Sequence, residues 1–452
     1  MGHLITSEQI AIDGEQLTSA PFKRAKQILG IIAIIGTIIS FAILFFATDS
    51  LQGTFAYSWL FALAYALTIA IGGCFWVLLH NLSNSGWGVS VRRLMENLGF
   101  VFPFLGILCI PFLFPDVQQY LWEWMTKHRA TGVDMFSSNP SRLFGFWGGQ
   151  DLIDALFYKH EALLAAKAWY LNVFSWYTRF IFYFVALGWV IYRLRKISVD
   201  QDTDPKPGVA RLFQARAFSA AGLPILAITA TFLAIDWFMT LNYTWFSTMW
   251  GVYIFAGCAL HSMVVIILTA IVLQKNGYLK NVVSPEHFHI MGKLTHVFVI
   301  FWAYITFSQF FLIWYSNIAE ETMYFTLRNT AGWYWVSLTL TFGHFALPFI
   351  LLLPHWMKKN VKYIKWVCVY LLVLHAVDMY HVIIPQRGPS LGLILGDDPV
   401  LWFGGIQAVF LDIFALLVVV SGFGYFYLRN LGSVNLYPNR DPRILESANL
   451  SN

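Results

Sequence analysis

The run AYSWLFALAYALTIAIGGCFWVLLH, residues 56 to 80, decides the fold class of this chain. It contains no Asp, Glu, Lys or Arg, and it exceeds the roughly 20 residues that an α-helix needs to cross the hydrocarbon core of a bilayer. Lipid offers no hydrogen-bond partner to exposed backbone groups, so an apolar run of this length is stable in a membrane only as a helix. The run therefore predicts a transmembrane helix.

Further apolar runs of spanning length follow along the chain. They lie near residues 25–47, 94–114, 170–192, 212–241, 247–273, 290–316, 331–356, 362–384 and 400–427. The composition agrees with them, since only 12% of the residues are charged, against about 25% in typical soluble domains. No alternating pattern typical of β-barrel strands occurs. We expect an all-α integral membrane protein of about ten transmembrane helices, with tails at residues 1–24 and 429–452 and a membrane domain at 25–428.

The distribution of basic residues predicts the orientation. When the loops are assigned alternately, 21 of the 29 Lys and Arg lie on the side of the N-terminus, 7 lie on the other side, and Arg179 lies within a span. Lys and Arg are enriched in cytoplasmic loops. We expect a multi-pass membrane protein with both termini and the turn Asp200–Gly208 in the cytoplasm. The net charge of +5 is then a topology signal and does not indicate a nucleic-acid partner.

The loop at residues 115–169, predicted to be periplasmic, is the only long segment outside the predicted spans. It is rich in aromatic residues, and the runs Asp116–Thr126 and Gln150–Ala168 are predicted to form amphipathic helices. A loop of this composition and length is expected to pack on the outer face or against another subunit. No internal repeat is visible in the sequence.

The four cysteines give no sign of a covalently bound cofactor. Cys74, Cys109, Cys258 and Cys368 each lie within an apolar run, with no CxxC, CxxCH or zinc-type spacing. Disulfides, c-type haem and cysteine-ligated clusters depend on such patterns. We therefore expect no covalently bound cofactor and no metal site in this chain.

Ionisable residues within spans form a first concentration near the outer end of the ninth run. His375, Asp378 and His381 follow one another at intervals of three, and Asp236 in the fifth run lies at similar depth. Such residues mark proton paths, ligand sites or buried helix contacts. Asp and His side by side can exchange protons near neutral pH. Interhelical hydrogen bonding without proton transfer explains the same pattern equally well.

A second concentration lies at the inner end of the seventh run, where Lys293 and His296 share a helix face. We predict the mouth of a cytoplasmic proton half-path that leads to the mid-membrane residues His261, His344 and Asp412. The alternative is that Lys293 extends to the interface and that His287 and His289 in the preceding loop are solvated. Two axial histidines could also hold haem b, and His261 with His344 is the one mid-membrane pair available for it.

Five segments carry a resemblance to a known family: AIGGCF (70–75), GWGVSVRR (86–93), DWFMTLNYTWFSTMWGVY (236–253), HIMGKL (289–294) and FWAYITFSQFFLIWYSN (301–317). Together they resemble the NrfD-like membrane subunits of bacterial alternative complex III, over nearly the whole chain. The resemblance implies two four-helix bundles with flanking helices and no metal centre in this subunit.

The resemblance also implies the function and the partners. The complex is a quinol:cytochrome c oxidoreductase, in which iron–sulfur clusters and c-type haems lie in partner subunits. The implied partners are an ActC-like sister membrane subunit, the iron–sulfur and multihaem cytochrome c subunits, other small subunits, lipids and a terminal cytochrome oxidase. The quinol site nearest the iron–sulfur subunit belongs to the sister subunit in this family. The role expected of this chain is complex assembly, contact with quinone and proton conduction.

Two other functions share the predicted architecture. A secondary transporter also has about ten helices with buried charges, but its substrate site is usually marked by a pair of Gly/Pro-broken spans in corresponding positions of the two halves, and no obvious pair is visible here. A purely structural membrane anchor is the third reading. Co-purification with multihaem and iron–sulfur subunits separates the first function from the transporter.

Overall fold

A computed structural model describes residues 5–11, 14–130, 164–204, 208–330, 332–395 and 405–451. Throughout these ranges the regular structure is helical, apart from one isolated β-bridge between Gln16 and Asn435. Nine helices within the same residues are long and apolar enough to cross a membrane. The chain is therefore an all-α, multi-pass integral membrane protein, and the predicted fold class is confirmed.

The helices are numbered here along the chain. They are α1 (Ala20–Phe46), α2 (Asp49–Ser83), α3 (Arg92–Gly99), α4 (Phe102–Leu108), α5 (Pro115–Leu121), α6 (Glu123–Ala130), α7 (Val173–Phe182), α8 (Gly188–Thr203), α9 (Ala210–Trp237), α10 (Trp250–Lys275), α11 (Pro285–Ser316), α12 (Ala319–Arg328), α13 (Trp333–Thr339), α14 (Leu347–Leu352), α15 (His355–Lys359), α16 (Val361–Ile383), α17 (Arg387–Leu395), α18 (Gly405–Leu431) and α19 (Ile444–Ala448).

The third predicted span is present as a broken helix. It consists of α3, α4 and a 3-10 turn at Ile110–Leu113, and a proline lies at the start of each of the last two pieces, Pro103 and Pro111. Proline fits the first turn of a helix but cannot continue the one before it. The segment runs antiparallel to α2, because Cys74 Sγ donates to the Gly99 carbonyl at 3.6 Å and Trp59 Nε1 donates to the Leu108 carbonyl at 2.9 Å. It supplies a tenth crossing.

Eight crossings pack as two groups of four. In the first group, α2, the broken helix, α7–α8 and α9 contact one another, and in the second group α10, α11, α13–α14 and α16 do so. The two groups meet where α2 lies against α10, and α1 and α18 flank α2. A β-carbon on Gly72 would overlap the Cys258 carbonyl of α10, and one on Gly73 would lie 2.6 Å from the Gly99 nitrogen of α3. The two glycines therefore let α2 approach α10 of the second group and α3 of its own group closely.

The third crossing of each group contains a π-helical segment. Tyr183–Leu187 joins α7 to α8, and Leu340–Ala346 joins α13 to α14. π-Helical turns are rare within α-helices and occur frequently at functional sites. Tyr183 and His344, described below, lie in these two segments.

Both termini lie on one face of the bundle, called here the inner face. Leu436 N donates to the Glu15 carbonyl at 2.8 Å, and Asn449 Oδ1 accepts from Ile5 N at 2.7 Å. The opposite, outer face carries α5, α6 and α12. The predicted amphipathic helix at Asp116–Thr126 is present as α5 and the start of α6, with Trp122 and Trp124 buried against the bundle. Residues 131–163, including most of the second predicted loop helix, lie outside the described residues.

Candidate functional site

Asp236, near the outer end of α9, belongs to an ion pair. Its carboxylate accepts from Arg179 Nε at 2.6 Å and from a terminal nitrogen of Arg179 at 3.0 Å, and Tyr183 Oη donates to it at 2.5 Å. The Asp236 side chain is 1% exposed and that of Arg179 is 18% exposed. A bidentate guanidinium–carboxylate contact neutralises a buried carboxylate effectively. Asp236 is thus tied within the first helix group and does not reach the ninth predicted span.

Asp412, in α18, is also held by an arginine. Arg387 donates to both carboxylate oxygens, at 2.8 and 3.3 Å, and Ser58 and Tyr380 donate to them at 2.6 and 2.9 Å. Asp412 lies seven positions after Gly405, the first residue of α18, and this distance is about 10 Å along the helix axis. We expected Asp412 to be a mid-membrane proton carrier. The structure places it in the outer third, with four hydrogen bonds to its carboxylate.

Asp378, in α16, has a different environment. Its fully buried carboxylate accepts from Tyr253 Oη and, at 3.1 Å, from Trp302 Nε1. No cationic side chain among the described residues lies within ion-pair distance of it. Arg328 is close in the structure, but its guanidinium donates to the backbone carbonyls of His381, Tyr324 and Val382. Of the buried aspartates in the described part of the membrane domain, Asp378 is the one that only neutral donors contact.

A cavity of about 400 Å³ adjoins Asp378. Most of its lining is aromatic or aliphatic, contributed by α10, α11, α12, α13 and α16. His381 also lines it and shares a hydrogen bond of 3.0 Å with Ser337 of α13. Apolar cavities with a few convergent polar groups are the usual form of small-molecule sites.

Three histidines meet at mid-membrane depth, one turn inward of Asp378. His261 Nε2 and His344 Nε2 are 3.0 Å apart, and the rings of His261 and His375 stack with centroids 3.8 Å apart. All three side chains are buried. The sequence placed His261 and His344 in one layer, and the structure adds His375 to them. The separation of 3.0 Å is a hydrogen-bond distance, and it is shorter than the roughly 4 Å between two axial nitrogens that share a metal, since each metal–nitrogen bond is about 2 Å.

The hydrogen bonds fix how the neutral histidines carry their protons. His261 Nδ1 donates to the Gly257 carbonyl at 2.8 Å, so its Nε2 accepts from His344 Nε2. Thr68 Oγ1 donates to the Ala64 carbonyl, so it accepts from His375 Nε2 at 2.8 Å. Nδ1 of His344 and Nδ1 of His375 are then acceptors, and both are buried with no partner among the described residues. Buried polar atoms are almost always hydrogen-bonded, which makes these two nitrogens sites for a water or a proton.

The inner cluster is built differently from the prediction. Lys293 is exposed on the side of α11, while His296 is partly buried beside Phe349 with a ring-centroid distance of 5.2 Å. The sequence reading missed Lys358 of α15, which is buried and donates to the carbonyls of Leu352, Leu353 and Pro354 at 2.6 to 3.3 Å. Burial, with the nearby charge of Lys293 as a second cause, lowers the pKa of Lys358.

His287 and His289 are not solvated, contrary to the reading given as the alternative. His287 is fully buried in the first turn of α11, where its Nδ1 accepts from Ser284 N at 3.0 Å in a capping box. His289 is 6% exposed and lies against the His355 ring, with centroids 4.1 Å apart. Glu286, in the same turn, pairs with Lys359 at 2.5 Å. These histidines organise the inner end of α11.

A buried network of charges at the inner face was also missed. Arg92 pairs with Asp441 at 2.8 Å, Arg93 pairs with Asp202 at 3.0 Å, and Glu96 lies 3.3 to 3.4 Å from both arginines. The sequence reading counted Arg92 and Arg93 only as topology signals. The spacing of Glu96, four and three residues after them, was the available clue.

No protein-family model and no curated protein matches the chain.

Proposed function

We propose that the chain is an ActF-type membrane subunit of a quinol:cytochrome c oxidoreductase of the alternative complex III kind. In this role it contributes to assembly of the complex, contacts quinone and conducts protons. It lies in the bacterial inner membrane with both termini in the cytoplasm. Its partners are an ActC-like sister subunit, iron–sulfur and multihaem cytochrome c subunits that carry the redox centres, and the smaller subunits. The five sequence segments quoted above support this assignment.

The observation that carries the proton role is Asp378. A buried carboxylate in a membrane is costly unless it is paired or used, and the described residues offer it two neutral donors and no cation. Protonation makes Asp378 neutral without leaving a guanidinium uncompensated. Asp378 can therefore gain and lose a proton at a lower structural cost than Asp236 or Asp412.

The histidine layer extends the proposed route inward. His375 lies one turn from Asp378 on α16. Its Nδ1 and that of His344 have no hydrogen-bond partner within the described ranges, and they are the acceptors that a proton reaches next. The His344–His261 hydrogen bond carries it across the layer. His296, with a buried Nε2 that has no partner in the described residues, and Lys293 mark the inner side. His381 and its Ser337 partner mark the outer side. Water links the gaps between these groups.

The test is proton stoichiometry in the assembled complex. Asp378→Asn and Lys293→Met are made in the chain, and the purified complex is reconstituted into vesicles. We expect the complex to assemble with altered proton uptake or release per electron, or with slower turnover. Asp116→Asn, the same chemical change at an exposed residue of the outer face, and Lys362→Met, at an exposed lysine of the inner face, are the matched controls.

Two outcomes contradict the proposal. Assembled variants with unchanged turnover and unchanged proton stoichiometry leave Asp378 and Lys293 as interhelical contacts, and the chain as a structural anchor. Purification of the tagged chain without any multihaem or iron–sulfur subunit removes the assignment to the complex and favours the secondary transporter.

A further inference from the structure

The cavity beside Asp378 opens toward the lipid. Phe307 of α11 is 64% exposed, and Thr341, on the facing crossing, is exposed as well; both residues line the cavity. Tyr324 and Arg328 of α12 line its outer end. One opening therefore lies on the side of the bundle, between two crossings and within their membrane-spanning length. This opening gives a ligand in the hydrocarbon of the bilayer access to the cavity.

The polar groups of the cavity are few and lie on different sides of it. Asp378 offers an acceptor on α16, and His381 with Ser337 offers a ring nitrogen and a hydroxyl. Arg328 lies over the Tyr324 ring, with its guanidinium carbon 3.5 Å from the ring centroid. Its charge is not matched by a carboxylate within ion-pair distance in the described residues. The cavity thus has a carboxylate at one position and a guanidinium at another.

Aromatic side chains form much of the rest of the lining. Trp250, Tyr253, Trp302 and Phe310 contribute rings, and the volume of about 400 Å³ falls within the range of about 300–1,000 Å³ that small-molecule sites occupy. Flat rings pack well against such walls in stacked or edge-on arrangements. The ligand that fits this chemistry has a flat head with hydrogen-bonding oxygens and an apolar tail.

We propose that this cavity binds the head group of a quinol or quinone from the membrane pool, with the isoprenoid tail leaving between Phe307 and Thr341. The ligand class rests on the proposed function, while the location rests on the cavity. In the quinol, one ring hydroxyl donates to the Asp378 carboxylate; in the quinone, the corresponding carbonyl oxygen accepts from protonated Asp378. The opposite oxygen faces the side of Arg328 and His381. The site lies in the second helix group of this chain and is separate from the quinol site of the sister subunit. Binding, and no electron transfer, is assigned to it.

The position of the site connects it to the proton groups. Asp378 lines the cavity and lies one turn from His375, so an occupied cavity places the ligand's hydroxyl at the outer end of the histidine layer. Occupancy of the cavity is then expected to alter proton exchange by Asp378, because the ligand competes with Tyr253 and Trp302 for its carboxylate oxygens.

Photoaffinity labelling of the purified complex tests the location. Azido derivatives of a short-chain ubiquinone and a short-chain menaquinone are used separately, and labelled peptides are identified by mass spectrometry. We expect label within residues 303–345 of this chain, with protection by the parent quinone. Label confined to other subunits would overturn the site. A phospholipid that co-purifies in the cavity and is not displaced by either quinone would overturn it as well.

A cavity-filling variant tests the binding itself. Ala303 lines the cavity on α11, and Ala303→Phe is expected to weaken quinone binding to this chain by at least tenfold and to remove one binding site per complex. Val297→Phe is the matched control, because Val297 lies on the same helix, is 55% exposed and does not line the cavity. Equal affinity and equal stoichiometry in Ala303→Phe and the control would exclude the site.

The two proposals fail in different ways. If the cytochrome subunits do not co-purify with the chain but the isolated chain binds quinone and loses it in Ala303→Phe, the site survives and the proposed function does not. If the complex forms and translocates protons as expected but no label reaches this chain, only the site is lost.

Discussion

Asp412 and Asp378 are both buried aspartates in the outer part of the membrane domain, but their surroundings differ. Asp412 faces Arg387, whose guanidinium reaches both carboxylate oxygens, while Asp378 faces a tyrosine hydroxyl, an indole and a cavity. Asp236 with Arg179 repeats the first arrangement within the first helix group. The difference separates two carboxylates whose charge is compensated by a guanidinium from one, Asp378, that the described residues contact only through neutral donors.

The physical reason is the cost of the uncompensated charge. In a paired site, protonation of the aspartate or its removal leaves a buried guanidinium, and breaking a fully buried pair in this way costs about 3–5 kcal/mol. Asp378 leaves no cation behind, so its proton can move without that penalty. Substitution of each partner in turn tests whether the paired and unpaired aspartates differ in this way.

Arg387→Met is expected to have the largest effect. It leaves Asp412 buried with two neutral donors, and we expect a loss of about 3–5 kcal/mol in stability and a low yield of assembled protein. Thermal unfolding of the detergent-solubilised protein measures this loss. Arg387→Met combined with Asp412→Leu should recover part of it, because the buried Asp412 carboxylate is then no longer left without its guanidinium. A single variant as stable as the parent would show that the pair does not hold α18 in place.

Arg179→Met should have a smaller effect of the same kind. The arginine side chain is 18% exposed and the pair is not fully buried, so we expect a loss of about 2 kcal/mol, below the range for a fully buried pair. The same unfolding measurement applies. Arg179→Lys keeps the charge but loses the bidentate contact, and it should fall between Arg179→Met and the parent. A loss larger than that of Arg387→Met would reverse the ranking by burial.

Asp378→Asn is expected to change stability by about 1 kcal/mol or less. The asparagine oxygen can accept from Tyr253 or Trp302, and one neutral hydrogen bond contributes about 1 kcal/mol net. The change should appear in proton stoichiometry and leave the melting temperature nearly unchanged. A destabilisation comparable to that of Arg387→Met would mean that Asp378 is a structural contact like Asp412.

Lys293→Met should have the smallest effect on stability. The side chain is exposed on α11, and exposed substitutions usually change stability by about 0.5 kcal/mol or less. Lys358→Met is the informative comparison, because Lys358 caps three carbonyls and its removal leaves them without a donor. The melting temperature should fall clearly for Lys358→Met and hardly at all for Lys293→Met.

The sequence was sufficient for the fold class and for the order of the crossings. The length and apolarity of the runs predict the positions of the helices. For example, the predicted run at 56–80 lies within the observed α2 at Asp49–Ser83. The break in the third crossing was signalled by Pro103 and Pro111. The π-helical segments had no signal, because the extra residue in such a turn leaves no pattern in composition or periodicity. Their recurrence in the third crossing of both groups is a structural repeat that was not visible in the sequence.

For the candidate site, the spacing of ionisable residues along each helix could be predicted from the sequence, but their partners on other helices could not. Side chains three residues apart on a helix point in directions that differ by about 60° around the helix axis. The side chains of His375, Asp378 and His381 therefore cover about 120° of the α16 surface. Accordingly, His375 meets His261 of α10, Asp378 meets Trp302 of α11, and His381 meets Ser337 of α13. The arginine partners of Asp236 and Asp412 come from other helices, and no local pattern identifies them. The positions of these side chains follow from packing.

The joining of the two ends at the inner face has a consequence for biosynthesis. Ile5 and Asn449, which hydrogen-bond to each other, are separated by 444 positions in the chain. At about 5–20 residues per second, the ribosome needs roughly 20 to 90 seconds to make the residues between them. During that time the N-terminal tail has none of its C-terminal partners, and all the crossings must insert before the contact can form. The contacts between the two termini at the inner face therefore form last, after Asn449 has been synthesised.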